Sequence, residues 1–260
     1  MGWTIEIKSL IKSFMVKMVK MIKVFDGVYL EVLKLSSKIH DKLRENIKVD
    51  IKDKKLAIYY LQGGCITHAY LAINHWIAGD LGAPFIHKRI IQEMGNVALF
   101  ISVLPEKNRY IESFFKKSII SFPDIFSAKW KQEKEAIIKK MSWDEKTLKE
   151  WYDRSKLLSD GFSNAVHAQI ETAAFNSDKE TAEYDYDLNK GWTKSGFIRN
   201  FDFGHYIILP AINPLLINTE ILPITDADLV ELQLLWNRVS NTGKGIFNNL
   251  RDSVLFNKGQ

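Results

Sequence analysis

Six histidines and a single cysteine are the side chains here best suited to proton transfer, metal ligation or nucleophilic attack. His167 has the most suggestive surroundings: Ser163 and Asn164 precede it by about one helical turn, and Asp160 lies a further turn back. A histidine titrating near neutrality can serve as general acid or base. A neighbouring hydroxyl and amide can hydrogen-bond a phosphate or orient the ring. In an RNA-cleaving site such groups would activate the 2′-OH or protonate the leaving oxygen. The plainer reading of His167 is a half-buried structural histidine satisfied by the backbone.

His68 and His75 fall on one face of an apolar helix, with His87 across the following turn. Seven residues at 1.5 Å rise separate the first two by about 10 Å, too far for one ion to bridge directly. They are expected to be packed or partly exposed histidines, and no metal or cofactor site is expected. Arg89 and Glu93 sit four apart, either as an ion pair along the helix or as polar groups lining a cleft beside Ile86, Ile90 and Met94. Cys65 rules out an intrachain disulfide and reads as a small buried residue in a reducing, cytoplasmic setting. The chain has no Walker-type phosphate loop, dinucleotide fingerprint, G-x-S-x-G elbow or H-E-x-x-H. ATP hydrolysis, dinucleotide redox chemistry and zinc peptidase activity are disfavoured accordingly.

The elements that must carry these groups read as helices throughout. Residues 5–25 place Leu10, Phe14, Met18 and Met21 on one side and Lys8, Lys12, Lys17, Lys20 and Lys23 on the other. A second helix is expected from about Val28 to Glu45, then a charged connector over 46–55. Leu56 to Ala78 reads as a strongly apolar helix, with Gly63-Gly64 pointing to a close approach or a kink. A turn around Gly79–Pro84 leads to a helix over Phe85–Leu104, so the two form a hairpin. Further helices are expected from Glu106 to before Pro123 and over 124–141. Ser142 and Glu145 match a capping box opening the stretch 142–175, which carries His167. Residues 176–204 read as a polar, aromatic excursion, and Tyr206–Leu222 as buried core broken by turns at Pro210 and Pro214. Thr225 and Asp228 form a second capping box for a final helix. The fold class is therefore all-α: a helical bundle with a hairpin over 1–175, and an excursion with C-terminal helices over 176–260 packing on the same domain.

The +5 net charge is uneven: residues 1–60 carry 13 Lys+Arg against 7 Asp+Glu. Such a region can engage RNA or an anionic membrane surface, or simply form a solvated face. Lys12, Lys17 and Lys20 are the expected nucleic-acid contacts, and membrane-surface contact through residues 5–25 is a further option.

The segments HKRIIQE and LLSDGFSNAVHA together resemble a group of uncharacterised bacterial all-helical proteins, similar in turn to HEPN domains. The match spans about residues 56–170. Many HEPN domains are metal-independent ribonucleases of toxin–antitoxin and phage-defence systems, and they often dimerise. The resemblance implies Arg89, Glu93, Asp160 and His167 as the polar positions, and a homodimer. Catalytic members place an arginine little more than a turn before the histidine, where this chain has Asp160, Gly161 and Phe162; Arg154 is the nearest arginine upstream. The expected function is an RNA- or protein-binding module that keeps the scaffold. The alternative is a ribonuclease with His167 as general acid/base and Arg89 or Arg154 stabilising charge.

Overall fold

The computed structural model describes residues 27–77, 83–106, 108–116, 131–153 and 204–256, and among these every regular element is helical. Helix α1 covers 27–43 and tightens into a 3₁₀ turn at Arg44–Asn46. Then come α2 (Lys54–Ile77), α3 (Ala83–Val103), α4 (Arg109–Phe115), α5 (Lys131–Met141) and α6 (145–153). A π turn at Gly204–Ile208 leads into α7 (Leu209–Ile217), and α8 (Asp226–Phe256) closes the chain. None of the described helices is long and apolar enough to cross a membrane. The helix expected over 5–25, the residues 154–175 around His167 and the excursion up to 203 lie outside the described residues.

α2 is the hub. From Leu56 to Ile77 it has no Asp, Glu, Lys or Arg, and a helix apolar all round must be buried on most sides. Among its described residues from Leu56 on, Tyr60, Thr67, Leu71 and Asn74 are the exposed ones, spaced along one stripe. Asp53 caps the helix, its carboxylate accepting from the Leu56 amide at 2.9 Å. α1, α3 and α7 cover the remaining faces. The Gly63-Gly64 pair permits two of these contacts without interrupting the helix. A Cβ on Gly63 would lie 2.8 Å from the His40 ring of α1, and one on Gly64 would lie 2.6 Å from Met94 Sδ of α3. Cys65 is fully buried, its thiol 3.6 Å from the Ile91 carbonyl, and burial pushes its pKa up to about 12.

α7 corrects the expectation of turns over Tyr206–Leu222. Pro210 falls at the helix start, where no N–H is missed, and Pro214 sits inside. An interior proline costs about 3 kcal/mol. Leu209, Ala211, Ile212 and Leu215 are buried by the helix against α2 and α3, and each large apolar side chain returns about 1.5–3 kcal/mol. Burial wins. The Pro214 carbonyl, among the last four of its helix, is satisfied by two side-chain amides, Gln62 of α2 and Asn218, each at 2.9 Å.

A second apolar cluster joins α5 and α6 to α3, built on Leu99, Ile137 and Leu148 with Trp143 and Trp151. Here the predicted capping box at Ser142 is overturned. Ser142 has φ 52° and ends α5 instead. Its N–H donates to the Lys139 carbonyl at 3.3 Å and the Trp143 N–H to the Ile138 carbonyl at 3.0 Å, the paired bonds of a Schellman ending. Asp144 caps α6, accepting from the Thr147 amide at 2.6 Å. At the second site Thr225 is the cap: its Oγ1 accepts from the Asp228 amide at 3.1 Å and donates to the Asp228 carboxylate at 2.8 Å.

Candidate functional site

The basic excess of the N-terminal quarter becomes a surface feature on α1. Lys34, Lys38 and Lys42 recur at four-residue spacing and so share one face. The opposite face of the same helix buries Val32, Leu33, Leu35 and Ile39. With Ser37, Asp41, Glu45 and Tyr70, the lysines line an open groove of about 510 Å³. Tyr70 arrives from α2, and its hydroxyl lies 3.3 Å from Ser37 Oγ, which donates to the Leu33 carbonyl at 2.8 Å.

The three lysines are not equivalent. Lys42 Nζ is held by both carboxylate oxygens of Asp228 on α8, at 2.7 and 2.8 Å. Hydrogen bonds from Lys42 and Thr225 hold the Asp228 carboxyl below the usual range, with the charges of Lys42 and Lys38 adding to them. Lys34 and Lys38 are exposed and have no ion pair among the described residues. The groove thus presents two open ammonium groups, a hydroxyl and a phenol beside the carboxylates of Asp41 and Glu45. The ammonium groups and hydroxyls of that set can hold a phosphate.

The histidines whose side chains are described, His40, His68, His75 and His87, fall into two groups. His40 of α1 stacks on Tyr59 at 4.1 Å and lies 2.9 Å from the Tyr59 carbonyl. Burial lowers its pKa, opposed by that backbone hydrogen bond and by Asp41. His68 and His87 bring their Nδ1 atoms within 2.9 Å, and the His75 ring lies 5.4 Å from that of His87. Among the described residues, no three His, Cys, Asp or Glu side chains converge to hold a metal ion.

Arg89 and Glu93 form an ion pair along α3, Nε to Oε1 at 2.9 Å, with side chains 30% and 46% exposed. Of the two sequence readings, the helical pair is what the geometry gives. Lys12, Lys17, Lys20, Arg154, Asp160, Ser163, Asn164 and His167 lie outside the described residues. Sequence reading overlooked Lys34 and Lys38 as a pair. The signal was their spacing beside the apolar stripe of α1; what no local pattern carries is Tyr70, which reaches the groove from α2. Compared with protein-family models, with curated proteins and with solved structures, the chain matches none.

Proposed function

We propose that this chain is a HEPN-like helical module that binds RNA through its basic N-terminal face without cleaving it. The observation that carries the reading is the α1 groove, where Lys34 and Lys38 present ammonium groups beside Ser37 and Tyr70. Lysines act on phosphate as point charges, and their attraction is independent of sequence. Residues 5–25 carry five further lysines. A homodimer and a defence or toxin–antitoxin setting belong to this proposal through the resemblance alone.

Fluorescence anisotropy with a labelled single-stranded RNA tests it. Binding is expected to weaken steeply with salt, log K falling by about 0.7 per phosphate contact on a single strand for each tenfold rise in salt. Lys34→Glu with Lys38→Glu is expected to weaken binding and flatten that slope, and the changes Lys12→Glu, Lys17→Glu and Lys20→Glu to do so further. Absent or salt-independent binding overturns the proposal. The recovered RNA is run on a gel: intact RNA is expected. Cleavage lost in His167→Ala would establish the ribonuclease reading instead.

A further inference from the structure

The turn-proximal half of the α2–α3 hairpin carries three imidazoles in a row. His68 and His75 are seven residues apart on α2, about 10.5 Å along the axis. The His87 ring of α3 lies 5.2 Å from the first and 5.4 Å from the second. These two distances nearly sum to the helical separation, so His87 sits between its partners. The closest approach is Nδ1 to Nδ1 between His68 and His87, at 2.9 Å. Two ring nitrogens at that distance make a hydrogen bond only when one bears a proton and the other offers its lone pair.

We propose that His68 and His87 form a proton-sharing latch that closes this end of the hairpin at neutral pH and releases it in mild acid. With both rings protonated, two N–H groups and two positive charges face one another, and the bond becomes a repulsion. The His75 ring packs against His87 as well. Burial lowers the pKa of His68, consistent with a site that resists its second proton.

On α3, Lys88 is buried next to His87, and Arg89 is engaged by Glu93. α2 contributes no Asp, Glu, Lys or Arg between Leu56 and Ile77, and α7 contributes none either. From α1, Tyr29 packs against Trp76, and Glu31 is engaged by Arg238 of α8. Farther along, the hairpin is fastened by apolar packing of α4 and of the α5–α6 cluster, which does not titrate. Protonation therefore acts on one end of the pair.

Hydrogen exchange of the full chain, with EDTA present so that trace metal does not occupy the imidazoles, reads the latch directly. After correction for the intrinsic pH dependence, segments 68–77 and 83–90 are expected to lose at least about tenfold in protection between pH 7.5 and 5.5. Segments 54–62 and 95–103 are expected to change less. In His68→Gln and in His87→Gln, each a neutral replacement, the acid-induced loss is expected to disappear. A second measurement needs no variant. Ring ¹⁵N spectra of the wild type at pH 7.5 are expected to show one of the two residues protonated on Nδ1 and the other on Nε2. Unchanged wild-type protection, an undiminished loss in both variants, or two Nε2–H tautomers would each overturn the latch.

Discussion

At the scale of single residues, Gly63 and Gly64 show how neighbours of one type take different constraints. Both let another helix approach α2, yet the obstacles a methyl group would meet are unlike. Gly63 faces the His40 ring, which is fixed by its stack on Tyr59 and its hydrogen bond to the Tyr59 carbonyl. Gly64 faces the sulfur of Met94, the far part of a flexible side chain. Replacing glycine by alanine in a helix interior returns up to about 1 kcal/mol of propensity. At Gly64 that gain offsets the displacement of Met94, so Gly64→Ala is expected to be nearly neutral. At Gly63 the ring cannot give way, and overpacking of this kind costs about 1–3 kcal/mol. Urea denaturation of the two variants checks the contrast; equal effects would refute the distinction. The sequence pointed to a close approach or a kink at the pair. Which glycine faced a rigid partner was not legible, because His40 belongs to another helix.

At the scale of elements, the stretch Met141–Thr147 shows where local pattern reading stops. Ser142-x-x-Glu145 reads as a helix start, yet the residue that caps the helix is Asp144, two positions on. The choice falls to Asp144 because Ser142 is already used, in the left-handed conformation that ends α5. Serine has no special suitability for positive φ, which costs a non-glycine residue about 1–2 kcal/mol. Ser142→Gly is therefore expected to stabilise the protein by up to about 1 kcal/mol, whereas an N-cap at that position would make the change slightly unfavourable. Thr225→Ala, at a cap that sequence and structure agree on, is expected to cost about 1 kcal/mol. Thermal melts of both variants distinguish the two assignments by sign. The same limit explains α7. Its prolines were visible as helix breakers, while the burial that overrides Pro214 depends on α2 and α3 and has no local signature. The α2–α3 hairpin was legible nearly to its boundaries, since a long run without Asp, Glu, Lys or Arg, closed by the Gly79–Pro84 turn, leaves few alternatives.

At the scale of the whole molecule, α1 and α8 are fastened by Lys42–Asp228 and Arg238–Glu31, contacts that join residues far apart in the chain. Together with the half-buried His40 they set the expected response to acid. Burial depresses the folded-state pKa of His40 below its ordinary 6.5, so its neutral form is the one the fold accommodates. The stability tied to that neutrality is present above pH 6.5 and is lost as pH falls from there through the folded-state value. Asp228 is also depressed, from 3.8, but there the charged form is favoured. Its contribution persists above pH 3.8 and is lost only as pH falls through its still lower folded-state value. Acid is thus expected to weaken the fold in two separate windows, with the imidazoles first and the carboxylate later. The melting temperature of the wild type is expected to fall between pH 7.5 and 5.5. His40→Gln, which can still donate to the Tyr59 carbonyl, is expected to reduce that fall. Asp228→Asn is expected to lower the melting temperature at pH 7.5 and leave the slope between pH 7.5 and 5.5 unchanged, because Asp228 remains ionised throughout that interval. A steeper slope in Asp228→Asn, or none lost in His40→Gln, would place the acid sensitivity elsewhere.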